Sequence, residues 1–162
     1  MKKLNLGCGY DLKEGYINID IQKPCDMLLN IERDKLPFED NSVDYITCER
    51  TLAHLSDITH FMGECHRVLK KGGTLHLTVM YFRHPMAFNP SHKLFFNLYS
   101  FDSWCGGSRT MSYPVKYIKK SIGFIGIPKK WVKWIADRNI WLYQNIFGIF
   151  FPAMEMEVIL EK

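Results

Sequence analysis

Short apolar runs divide the first half of the chain into strand-sized pieces. Lys3–Leu6 and Tyr16–Ile21 read as buried strands, Met27–Ile31 as a third and Val43–Cys48 as a fourth of mixed burial. Only about ten residues part the first two, whereas a helical crossover between parallel strands takes about a dozen or more. The first crossover helix is therefore expected to be one turn or absent. Asp40-Asn41-Ser42 marks a turn, and Ser56-Asp57 offers an N-cap. Ile58, Phe61, Met62, Cys65, Val68 and Leu69 then recur at helical spacing. Gly72-Gly73 is expected to stop that helix, with Lys70 and Lys71 in its last turn. Thr74–Met80 alternates as a strand. Farther on, Pro90-Ser91-His92-Lys93 reads as a turn or helix start and Ser100–Trp104 as a short helix. Met111–Phe124 should hold a strand, Lys129–Phe151 an aromatic-rich helical stretch, and Met154–Leu160 a last strand.

With 162 residues and no repeat or linker, residues 1–162 are expected to form a single domain. A hydrophobic fraction of 47% argues against disorder. The net charge of +4 conceals an asymmetry: residues 1–66 carry 7 Lys/Arg against 12 Asp/Glu, and residues 67–162 carry 14 against 5. A basic second half suits an anionic substrate, nucleic acid or lipid surface, and equally a solvated helix face. Five cysteines without a C-x-x-C pair signal neither a metal site nor a disulfide framework. No run is long enough to span a membrane, and Met1-Lys2-Lys3, leading into only a four-residue strand, is not expected to open a signal peptide. The expected location is a reducing cytoplasm.

Chemistry gathers where the first strand ends. Asn5-Leu6-Gly7-Cys8-Gly9 runs a strand into two glycines spaced one apart, which lets the backbone take φ > 0 and approach a ligand. Asp20 closes the second strand, where an acid can accept both hydroxyls of a ribose. Leu36–Asp44 and Glu64–Gly73 follow. In this order the four segments resemble the class I S-adenosylmethionine-dependent methyltransferases, specifically the small methyltransferase-type-11-like domains, over Lys3 to Val79.

That resemblance implies an α/β fold: an open, mostly parallel Rossmann-like sheet with a shortened first crossover and an antiparallel C-terminal strand. It implies S-adenosyl-L-methionine as cofactor, with Asn5, Leu6, Gly7, Cys8, Gly9 and Tyr10 around its methionine part. Asp20 and Ile21 would meet the ribose, Asn30 and Ile31 the adenine, and Glu49 and His54 would border the cleft. Two positions depart from the pattern: Asp11 stands for a third glycine and Ala53 for a glutamate before His54. No Asp-Pro-Pro-Tyr-type motif follows the fourth strand, which counts against methylation of exocyclic base nitrogens in DNA. Pro90–Phe96 resembles a Thr-His-Lys-x-Phe-Phe stretch in small methyltransferases of unassigned substrate. His92 within it is the candidate catalytic residue, a general base for the acceptor.

The expected function is methyl transfer to a small-molecule or sugar-type acceptor, with nucleic acid not expected as partner. The alternatives are a non-catalytic cofactor-binding module that supports a partner protein, and a nucleic-acid methyltransferase. Residues 129–151 are expected to cover the sheet or a second copy of the chain in a homodimer, not a membrane.

Overall fold

A computed structural model describes residues 1–105, 116–123, 130–147 and 153–162. Leu4 and Leu6 of β1 (Lys3–Leu6) have no exposed surface, as a strand covered on both faces requires. β1 pairs in parallel with β2 (Ile17–Asp20) on one side and β4 (Val43–Glu49) on the other. β3 (Met27–Leu28) extends the sheet beyond β2, and β5 (Leu69–Met80) runs parallel to β4. β7 (Glu155–Glu161) then inserts antiparallel between β5 and β6 (Lys116–Gly123), giving the order β3-β2-β1-β4-β5-β7-β6. The sheet is thus mostly parallel with an antiparallel C-terminal pair, the expected class.

No helix joins β1 to β2. The buried Asn5 amide braces the connecting loop instead, donating to Asp11 O at 2.8 Å and Asn18 Oδ1 at 2.9 Å. β3 is shorter than the Met27–Ile31 strand expected. Asn30 O accepts the N–H of Arg33 and Asp34, while the Asn30 side chain takes the N–H of Glu32. These local bonds turn the chain away from the sheet.

Helix α1 (Thr59–Val68) buries Phe61, Met62, Cys65 and Val68 against the core. Both expected ends shift. The N-cap residue is Ile58, and Asp57 instead accepts the N–H and hydroxyl of Thr59. At the other end Gly72-Gly73 does not stop the helix: Leu69 is already extended and pairs with Val43. His66 and Arg67, not Lys70 and Lys71, occupy the last turn. Gly72 N–H donates to Lys162 O and Lys162 N–H to Gly73 O, so both glycines belong to β5.

After β5, Pro85–Phe88 and Asp102–Trp104 each form one 3₁₀ turn, and Ser91 closes an Asx turn on Asn89. β6 carries the strand expected near Met111–Phe124, though 111–115 and 124 fall outside the described residues. α2 (Lys130–Arg138) is followed by a turn at Ile140–Leu142 and a π turn at Tyr143–Phe147. Val132, Ala136 and Tyr143 are buried while Trp134 and Trp141 are exposed, so this stretch covers the core with one side only. Residues 129 and 148–151 of the expected helix lie outside the described residues. Among the described residues, no helix is long and apolar enough to cross a membrane.

Candidate functional site

β1, β2 and β4 end on one side of the sheet, where open α/β folds hold their ligands. A cleft of about 500 Å³ opens there, walled by Gly7, Gly9, Asp20, Ile21, Leu29, Asn30, Ile31, Arg50, Thr51, His54 and Lys93, with Gln22, Glu32 and Leu55 completing it. A larger hollow of about 720 Å³ near α1 and Lys162 lies among groups already paired: Arg67 to Asp40 and Glu64, and Lys162 to Asn41. The smaller cleft is the candidate site, because the carboxyl ends of the strands converge on it.

Of the residues singled out in the sequence, Gly7, Gly9, Asp20, Ile21, Asn30, Ile31 and His54 line the cleft. Gly7 has φ +67° and Gly9 φ +51°, the left-handed region that favours glycine. A Cβ at Gly7 would collide with the Thr51 side chain, whereas a Cβ at Gly9 would meet nothing. Thr51 Oγ1 lies 2.9 Å from Gly7 O and fixes that approach. The turn's amides are already engaged within the protein. Gly7 and Cys8 N–H both donate to Ile19 O, and Gly9 N–H donates to Asp20 Oδ2 at 2.8 Å.

Asp20 is tied down at both oxygens, since Gln22 N–H also reaches its Oδ1 at 3.2 Å. A carboxylate offers about four acceptor positions, so two remain for a diol. Asn30 Oδ1 holds Glu32 N–H at 3.0 Å and retains one lone pair. Leu29, Ile31 and Leu55 supply the apolar part of the wall.

Asn5, Leu6, Cys8, Tyr10 and Glu49 are not on the wall. Asn5 and Leu6 are buried and support the turn from behind. The buried Cys8 thiol is pushed up to about 11, first by burial and then by the nearby Asp20 charge, so it stays protonated. Tyr10 points into solvent, 84% exposed. Glu49 pairs with Lys13 at 3.1 Å and accepts from Thr47 Oγ1. Arg50, at φ +55°, is held by Glu155, which raises its pKa further and leaves a neutralised pair at the rim. Thr51 and Lys93 reach the wall only through tertiary packing. The one sequence signal for them is adjacency, Thr51 to the end of β4 and Lys93 to His92.

His54 and His92 form one unit. His54 Nδ1 lies 3.2 Å from Ser91 O, and His92 Nδ1 lies 3.0 Å from Ala87 O. A carbonyl oxygen only accepts, so each neutral ring carries its proton on Nδ1 and leaves Nε2 basic. His54 is on the cleft wall, and His92, which is not, packs edge to face against its ring.

The site fits an adenosine-bearing cofactor on its own chemistry. The cleft has the size of small-ligand sites, an anchored carboxylate with spare lone pairs, apolar wall residues, and open space over Gly9. Residues 7–77 match the model of the methyltransferase domain family. Demethylmenaquinone methyltransferase of Staphylococcus epidermidis is 36% identical over 69 residues, a match covering 40% of this chain and 29% of that protein. The chain therefore spans less than a third of the length of that curated relative. Among solved structures, a SAM-dependent methyltransferase from Archaeoglobus fulgidus superposes with TM-score 0.68 at 16% identity, covering 99% of this chain and 86% of the other. The YcgJ protein of Bacillus subtilis gives TM-score 0.62 at 18% identity, with 99% and 91% covered. These structures share the fold of the chain, residues 7–77 are similar to the methyltransferase domain family, and the Archaeoglobus fulgidus neighbour is S-adenosylmethionine-dependent.

Proposed function

We propose that this chain binds S-adenosylmethionine against Gly7, Gly9 and Asp20 and passes its methyl group to a small-molecule or sugar-type acceptor. The observation that carries the reading is Asp20, anchored by two backbone N–H groups at the end of β2 with acceptor positions to spare. The bound cofactor supplies a methyl carbon already activated by the sulfonium. The protein's share is then orientation and exclusion of water. Asp20 would accept the ribose hydroxyls, while Asn30 and Ile31 would flank the base. His54 Nε2 would take the acceptor's proton, with His92, packed against its ring, as the positioning residue. His92 itself serves as base only if the acceptor reaches past His54. Likeness to a demethylmenaquinone methyltransferase supports a small-molecule acceptor. So do the exposed rings of Phe88 and Phe95, 5.3 Å apart on the segment that carries His92.

Calorimetry with S-adenosylhomocysteine tests the reading, with one site per chain expected. A folded protein that takes up none at millimolar concentration would rule it out. The non-catalytic alternative draws support from the turn, whose three amides are all spent inside the protein. Binding without transfer to any acceptor, until a partner protein is added, would favour that alternative. Exposed Trp134 and Trp141 support a homodimer through the helical stretch at 130–147.

A further inference from the structure

Where β5 runs out, three buried polar atoms lack any hydrogen-bond partner: Tyr81 Oη, Arg83 Nη1 and Trp104 Nε1. Tyr81 has no exposed surface, and it is fixed by a bond from its N–H to Met154 O and by bridge pairing with Phe96. Phe82 touches both neighbours: its ring centroid is 5.0 Å from that of Tyr81 and 5.6 Å from Arg83 Cζ. Trp104 joins through Phe101, which stacks on Phe96 at 5.6 Å. Among the described residues no carboxylate pairs with Arg83.

Arg83 is half-buried with its Nη1 withdrawn from water, and a buried donor left without an acceptor is costly and rare in native structures. Here a cationic fork and a phenol donor stand one residue apart, just past the carboxyl end of a central strand, among aromatic rings. Neither lines the cofactor cleft. We propose that Arg83 and Tyr81 form an oxyanion subsite that holds a carboxylate or phosphate of the methyl acceptor, whose apolar body would lie along the neighbouring aromatic side chains. The guanidinium would give two parallel N–H bonds and the phenol a third. Burial pushes the Tyr81 phenol up, and the Arg83 charge opposes this without overcoming it, so the hydroxyl stays a donor.

Naming the ligand as acceptor rests on the methyltransferase reading; the anion site itself does not. The test titrates the full chain, saturated with S-adenosylhomocysteine, with inorganic phosphate and separately with benzoate, by calorimetry and thermal melting. One of the two should bind once per chain and raise the melting temperature. Arg83→Gln should weaken that binding by about tenfold or more with S-adenosylhomocysteine affinity unchanged, and Tyr81→Phe by about threefold. Preference for phosphate or benzoate tells which oxyanion the acceptor carries. Failure of both anions to bind the cofactor-loaded protein, or undiminished binding by Arg83→Gln, overturns the proposal. If Arg83→Gln does not fold, Arg83→Lys and Tyr81→Phe decide, and unchanged affinity in both rejects it. Failure of S-adenosylhomocysteine to bind is a separate result that removes the methyltransferase reading alone.

Discussion

The imidazole of His92 meets that of His54 edge to face, with ring centroids 4.8 Å apart and planes at 70°. His54 borders the cleft, while His92 is pinned to Ala87 O in the following loop. The pair thus couples the segment after β4 to the one after β5. Once an acceptor is known, His54→Gln should lower turnover by about a hundredfold with little change in cofactor affinity. His92→Ala should cost less, about tenfold, and His92→Asn should restore part of it by keeping a donor to Ala87 O. Equal losses at both positions would make His92 a base in its own right.

Asp20→Ala should weaken S-adenosylhomocysteine binding by about tenfold to a hundredfold, the scale of lost charge-assisted bonds. The same change frees Gly9 N–H and so should lower the melting temperature as well. Asp20→Asn separates the effects, since its carbonyl can still accept Gly9 N–H. Calorimetry on both variants checks this, and unaltered affinity in Asp20→Ala would remove Asp20 from the site.

Gly7→Ala combines a left-handed backbone with a collision against Thr51. A loss of about 2 kcal/mol or more is expected in chemical denaturation. Adding Thr51→Ser relieves only the methyl contact and should recover a minor part. Full stability of Gly7→Ala would show that the turn adapts.

Arg67 donates to Glu64 at 2.7 and 2.8 Å, to Asp40 Oδ1, and to the carbonyls of Leu36 and Phe38. These bonds hold Glu64 below its ordinary value of 4.5, Arg67 being the main cause and Leu36 N–H adding to it. A lowered folded-state pKa gives stability that is complete above the unfolded value and disappears as pH falls through the folded one. Melts below about pH 4.5 should therefore fall more steeply in the parent than in Glu64→Gln. That variant should already be about 2 kcal/mol less stable at pH 7. Parallel acid limbs would mean that Glu64 is not the group involved.

Sedimentation velocity should show concentration-dependent dimers that Trp134→Glu with Trp141→Glu abolishes. Anionic liposomes should not float the folded protein. Monomers at every concentration would leave Trp134 as a solvent-facing partner of Arg138, whose guanidinium carbon sits 4.6 Å over its ring, and Trp141 as an exposed ring without a role in assembly.

Much of the first half was legible because its signals are local. Alternation marked β1, β2 and β4, and the brevity of the link from Gly7 to Tyr16 excluded a full helix there. Asp20 was legible as an acid at a strand end. The end of α1 was not. Gly72-Gly73 carries the usual stop signal, yet the pairing of Leu69 with Val43 converts the chain to strand three residues earlier. Lys162 reinforces that change from the far end of the sequence by donating to Leu69 O at 2.9 Å. Thr51, Lys93 and the unpartnered atoms of Tyr81 and Arg83 were invisible for the same reason. Their significance depends on what packs against them, which no window of sequence contains.

The insertion of β7 between β5 and β6 has a bearing on biosynthesis. Among the described residues β6 pairs with no strand but β7, and one edge of β5 is closed by β7 alone. During translation from the N-terminus, the segments that build the candidate cleft emerge long before residues 155–161. A nascent chain can thus assemble its ligand-binding half while β5 still presents a bare hydrogen-bonding edge, a hazard for pairing between neighbouring chains on a polysome. Early occupancy of the cleft by cofactor would not shield that edge; only the last strand does.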